Sequence, residues 1–150
     1  MPNIAATIGR GITAAVCNDM VHQNHWTIAH GLLRATGSVE WINDEGLMDA
    51  VTAVSGSGPA YVFLLVEKLA AAGTAAGLPA HLATKLARET VAGSGEMLYR
   101  STLDAATLRN NVTSPGGTTA AALDVLTKGL EDLITRTVAA AAKRSRELAE

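Results

Sequence analysis

Six consecutive residues, Tyr61 to Val66, are apolar on every side of the helix they would form, and this constrains the chain more than any other feature. Such a helix is expected in the centre of a helical assembly and not on its surface. Its neighbours read the same way: helices are expected over Glu45 to Val54, Pro59 to Ala76, Ala80 to Tyr99, Ala105 to Asn111 and Thr119 to Leu148. Gly77-Leu78-Pro79 closes one helix and opens the next, glycine after and proline first. The last helix carries Leu123, Leu126, Leu130, Leu133, Ile134 and Val138 at three- and four-residue spacings, with Lys128, Glu131 and Arg136 to face water. Lys143, Arg144 and Arg146 suit the negative end of that helix dipole and read as a solvated basic end.

Before Asp44 the pattern differs. Alternation and turn residues predict a strand over Ile12 to Cys17, a helix over His25 to Thr36 ended by Gly37, and a strand over Ser38 to Ile42. The fold class is therefore mainly α, with a helical domain over 45–150 preceded by a short β-α-β segment over 1–44. Hydrophobic residues make up 48% of the chain, yet only five side chains are aromatic. Most of the apolar surface is alanine, leucine and valine, which lets helix backbones approach closely, within one subunit or between two.

A formal net charge of −2, with no long basic tract, leaves nothing to neutralise a nucleic-acid backbone. Cys17 is the only cysteine, so an intrachain disulfide is impossible, and its alternating apolar surroundings predict a buried, inert thiol. The start of the chain lacks the features of a signal peptide, and no continuous run of about 18 apolar residues occurs. The expected address is the cytoplasm, with no membrane partner. His22, His25, His30 and His81 lack zinc-ligand spacing and supporting cysteines, so no metal is expected. Asp44, Glu45 and Asp49 cluster, but acids in a first helical turn already have a structural reason to be there.

Two short segments carry chemistry. Val112 to Thr119 reads VTSPGGTT and opens the last helix. A helix N-terminus leaves about four N–H groups without intrahelical partners and carries roughly half a positive charge, so it favours a carboxylate or phosphate. Gly116 and Gly117 allow close backbone approach and Pro115 stiffens the entry. Ser114, Thr118 and Thr119 can either cap the helix or hydrogen-bond a ligand. The simpler reading is a capped helix start with no ligand. The second segment, Ser55 to Tyr61, reads SGSGPAY and opens the all-apolar helix. Gly56 and Gly58 give G-x-G, but Tyr61 stands where a dinucleotide turn needs its third glycine, and no other G-x-G-x-x-G turn follows a strand.

SGSGPAY and VTSPGGTT, in this order and at this separation, resemble the C-terminal half of pyrroline-5-carboxylate reductase, which makes proline from a cyclic imine with a reduced nicotinamide cofactor. The likeness covers essentially the whole chain, including Met1-Pro2-Asn3, the GITAAVCN strand, the Trp41 strand and LMDAVTAVSGSGPAY. It implies a helical dimerisation domain like the C-terminal part of 6-phosphogluconate dehydrogenase, preceded by a β-α-β remnant of a Rossmann domain. It also implies a homodimer or higher homo-oligomer, an imino-acid substrate, and NADPH or NADH in the complete enzyme. With the pyrophosphate turn missing, the chain alone is expected to bind no cofactor and to be inactive.

By the resemblance, Ser114, Pro115, Gly116, Gly117, Thr118 and Thr119 bind the substrate. Thr119 is the catalytic residue that orients the ring nitrogen, since its hydroxyl is too weak an acid to serve as a strong proton source. Ser57 and its turn shape the dimer and the floor of the site. Asn3 matches the asparagine near the nicotinamide, although Ile4-Ala5-Ala6 replace the usual Thr-Pro-Ala. Asp104-Ala105 stand where His-Pro is frequent, and Asn110 where an aspartate is frequent. Two other readings stay open. One is the helical half of a related hydroxyacid or imine dehydrogenase, whose β-hydroxyacid branch would need a lysine followed four residues later by asparagine, whereas Lys68 is followed by Ala72. A non-catalytic helical association module would share every feature of the helices.

Overall fold

The computed structural model describes residues 1–149. They divide into two compact units, one of Met1–Tyr61 with the chain from Ile134 on, the other of Val62–Leu133. In the first, a 3-10 turn (Ile4–Ile8) leads into β1 (Gly11–Val16), α1 (Gln23–Arg34) and β2 (Gly37–Ile42). The strands pair in parallel, Gly11 opposite Gly37 through Val16 opposite Ile42. Parallel neighbours need a crossover, and α1 supplies it. The Trp41 indole N–H donates to His30 Nδ1 at 3.0 Å, and Trp26 stacks on the same imidazole at 4.9 Å, tying α1 to β2.

Three expectations for this unit need correction. Gly37 does not end the helix but begins β2: its φ of 142° and its place against the Gly11 carbonyl leave no room for a Cβ. Cys17 is exposed, because it falls one residue beyond β1, where the inward alternation has run out. The stretch Glu45 to Val54 is not one helix. Asp44 Oδ1 accepts the Gly46 amide at 2.8 Å and tightens the first turn to 3-10 (Glu45–Leu47); α2 (Met48–Val51) follows, then a π-helical turn over Thr52–Gly56. Thr52 and Ser55 return their hydroxyls to the carbonyls of Met48 and Val51, a back-bonding that bends helices, and Ser57 N–H reaches the Thr52 carbonyl five residues back.

The remaining helices are α3 (Gly58–Ala75), α4 (Ala80–Arg100), α5 (Ala105–Asn111) and α6 (Thr118–Ala149). α3 stops in a Schellman arrangement, with Leu78 N–H on the Gly73 carbonyl and Gly77 N–H on that of Thr74. A Cβ at Gly73 would lie 3.3 Å from that of Ala83, so α3 and α4 meet closely there.

The core is built of small residues: Gly11, Thr13, Ala14, Val39, Ala53, Ala83 and Ala87 are the buried ones among the described residues. No large side chain is fully buried among the described residues. Phe63 is 64% exposed and Leu64 52%, so the all-apolar segment is not covered within one chain. Val62, Phe63, Val66 and Ala92 line an open groove of about 460 Å³ between α3 and α4, with Arg88 and Glu89 at its edge. By length and composition alone, the stretch Glu45–Ala75, of hydropathy 1.3, could also cross a membrane.

Candidate functional site

α5 delivers the VTSPGGTT turn. Asp104 caps it, its Oδ1 accepting the Thr107 amide at 2.7 Å. That backbone bond, with help from the Thr107 hydroxyl, holds the Asp104 carboxyl below the usual carboxylate range. At the far end Thr113 donates its hydroxyl to the Arg109 carbonyl at 2.7 Å and its amide to that of Asn110, which fixes the exit from the helix.

The next four residues form a tight turn. Gly117 N–H donates to the Ser114 carbonyl at 3.0 Å, with Pro115 and Gly116 at the two central positions. Gly116 has φ 70°, the left-handed value a type II turn requires after proline. At Gly117 a Cβ would fall on Ser114 Oγ and lie 3.1 Å from the Ser114 carbonyl oxygen, so any side chain here would have to displace the Ser114 hydroxyl. The first α6 hydrogen bond is made by Ala121 N–H to the Gly117 carbonyl at 3.2 Å. The amides of Thr118, Thr119 and Ala120 precede that bond and belong to the positive end of a 32-residue helix.

The hydroxyls of Ser114, Thr118 and Thr119 make no hydrogen bond among the described residues. None of them caps α6. Ser114, Pro115, Gly116 and Thr118 are exposed, while Gly117 and Thr119 are half-buried. The structure thus brings together six expected site residues around one turn, where spare amides can receive an anion and spare hydroxyls can form further hydrogen bonds.

Asn3 stands in the other unit. It precedes the Ile4–Ile8 turn without capping it, and its Oδ1 accepts the Ile12 amide at 3.4 Å. Met1 next to it pairs with Ala14 in both directions, at 2.8 and 3.1 Å. SGSGPAY lies in this unit too, across the junction of the π-helical turn and α3. Sequence reasoning missed two ties here, Trp41 to His30 and the Tyr61 hydroxyl to the Ala53 carbonyl at 3.1 Å. Neither has a local sequence signal, since the partners are 11 and 8 residues apart. Among the described residues no group of three or more His, Cys, Asp or Glu could hold a metal.

Residues 45–148 match the family model for pyrroline-5-carboxylate reductase dimerisation. The chain belongs to the pyrroline-5-carboxylate reductase family. It is 48% identical over 149 residues to the pyrroline-5-carboxylate reductase of Synechocystis, covering 99% of this chain and 55% of that protein. The Pseudomonas aeruginosa reductase is 42% identical over 151 residues, covering 100% of this chain and 55% of that one. Among solved structures, the pyrroline-5-carboxylate reductase of Coxiella burnetii superposes with a TM-score of 0.94 at 38% identity, over 99% of this chain and 55% of its own. The Plasmodium falciparum pyrroline carboxylate reductase, solved with NADP bound, gives 0.86 at 34% identity, over 100% of this chain and 62% of its own. The chain spans about half the length of the curated relatives it matches.

Proposed function

We propose that this chain is the dimerising and substrate-binding part of a reductase that converts 1-pyrroline-5-carboxylate to L-proline with NADPH or NADH, a reading carried by the unspent hydroxyls and amides of the VTSPGGTT turn. The substrate carboxylate sits on the amides around Gly116, Gly117 and Thr118, where the dipole of α6 favours negative charge. Pro115 and the left-handed Gly116 hold those amides in place before the ligand arrives. Ser114 and Thr118 donate hydroxyls to the carboxylate. Thr119 hydrogen-bonds the ring nitrogen and keeps the protonated imine oriented, a positioning and polarising role. The cofactor, when bound, supplies the hydride. Asn3 fits a place beside it: Ile12 N–H occupies its Oδ1, which leaves the amide N–H groups to donate.

In this reading residues 1–44 belong to the end of a dinucleotide-binding domain and 45–150 form the dimerisation and substrate domain. A second copy covers the exposed face of α3, since obligate interfaces commonly bury about 2,000 Å² or more. Light scattering at micromolar concentration is expected to return at least a dimer, and a well-folded monomer would contradict that part. The catalytic part is tested by joining the chain to the amino-terminal part of its Synechocystis relative. NADPH oxidation with 1-pyrroline-5-carboxylate is expected from the joined protein and not from the 150 residues alone. A joined protein that binds NADPH and dimerises yet reduces nothing would leave a non-catalytic association module.

A further inference from the structure

We infer that Tyr61 is a positioning residue for the cofactor side of the site, acting through the π-helical turn Thr52–Gly56 on the segment that carries Asn3. The inference rests on the reductase reading above. A π-helical turn shifts the hydrogen-bond ladder by one residue: Ser57 N–H bonds to the Thr52 carbonyl, at 2.8 Å, and so passes over that of Ala53. The Ala53 carbonyl then takes the Tyr61 hydroxyl at 3.1 Å. Ala53 is wholly buried, so an acceptor left without its partner there is costly. Tyr61 therefore holds the extra residue in the turn.

The turn has a second contact that points toward the cofactor side. A Cβ added at Gly56 would lie 3.8 Å from Met1 Sδ, so the methionine side chain stands over that face of the turn. Met1 is clamped to β1 by its two hydrogen bonds with Ala14, and two residues on Asn3 accepts the Ile12 amide of the same strand. The hydroxyl of Tyr61, the buried carbonyl of Ala53, Gly56, Met1 and Asn3 form one connected series within the Met1–Tyr61 unit. The substrate turn lies outside that unit, so loss of the hydroxyl should act on one ligand and not on the other.

The test is Tyr61→Phe, read in two ways. In the chain itself, amide exchange at Ser57 should become about tenfold faster while amides in the middle of α4 keep their rates. In the joined reductase, the KM for NADPH should rise roughly three- to tenfold, with the KM for the imino acid unchanged. Met1→Ala cuts the other end of the series and should give the same one-sided rise, which keeps the idea testable if Tyr61→Phe does not fold. An unchanged Ser57 amide, or equal changes in both KM values, would overturn the inference. If the unmodified joined protein reduces nothing, the reductase reading fails and the inference falls with it. If that protein turns over and the variants keep its cofactor KM, only the inference fails.

Discussion

SGSGPAY and VTSPGGTT are near neighbours in composition, each a run of glycine, proline and hydroxyl residues opening a helix, yet the structure uses them in opposite ways. In the first, Ser55 returns its hydroxyl to the Val51 carbonyl and Tyr61 to that of Ala53, only the Ser57 hydroxyl stays without a protein partner among the described residues, and no glycine takes a left-handed φ. In the second, Gly116 is left-handed, Gly117 packs its backbone against the Ser114 hydroxyl, and three hydroxyls stay without protein partners among the described residues. A turn most of whose hydroxyls bond inward is chiefly a piece of architecture. One whose polar groups remain unspent at a helix N-terminus is equipped to bind. Composition does not distinguish them; the direction of the hydrogen bonds does.

The largest effect expected from breaking this contrast is at Gly116. Gly116→Val puts a β-branched residue at φ 70° and closes the approach to the amides. In the joined reductase the KM for the imino acid should rise by about two decades, the equivalent of roughly 3 kcal/mol of binding. An unchanged KM would show that the turn is a cap and nothing more.

Thr119→Ala sharpens the contrast by removing one hydroxyl and leaving the backbone alone. A ligand role predicts a fall in kcat/KM of roughly one to two decades, from about 1 to 3 kcal/mol of lost transition-state stabilisation, with the melting temperature unchanged. A capping role predicts the reverse, a loss of about 1 kcal/mol in stability with intact kinetics. Both quantities measured on the one variant separate the two.

In the other turn Ser55→Ala removes a bond that ends on the protein itself. Stability should move by no more than about 1 kcal/mol, and the KM for the imino acid should not change. A large change in that KM would mean that SGSGPAY also contacts substrate, and the division of labour would fail.

The smallest effect is a pH dependence at Asp104. Its carboxyl titrates lower in the folded chain than its ordinary value of 3.8, chiefly because the Thr107 amide donates to it. Its contribution to α5 is therefore complete above that value and is lost as pH falls through the folded one. Melting curves taken between about pH 5 and pH 2 should show an acid destabilisation that is smaller in Asp104→Asn. Identical acid profiles would remove Asp104 as the cap that holds the entry to the VTSPGGTT turn.

Much of this was legible in the sequence because it is local. The strands flanking α1, the four helices from α3 to α6 and the turn chemistry of Ser114 to Gly117 follow from periodicity, proline and glycine within a few residues of each other. The six turn residues come together for the same reason. The π-helical turn was not legible, because Thr52 and Ser55 have ordinary helical periodicity, and what stabilises the extra residue is a hydroxyl 8 residues from the carbonyl it meets. The strand-side reading of Cys17 failed by a single position, since alternation gives a period but not the residue where pairing stops.

By itself, then, the sequence determined the helical class, the β-α-β segment and the place of the proline-glycine turn that opens the last helix, all set by short-range backbone preferences. Tertiary structure alone decided which hydroxyls were spent. The Tyr61 hydroxyl went to a buried carbonyl, the Trp41 indole N–H went to His30, and in the two turns the hydroxyls of Ser57, Ser114, Thr118 and Thr119 were left over. A hydroxyl donates to whatever acceptor packing brings within about 3 Å, and only folding in three dimensions sets that distance.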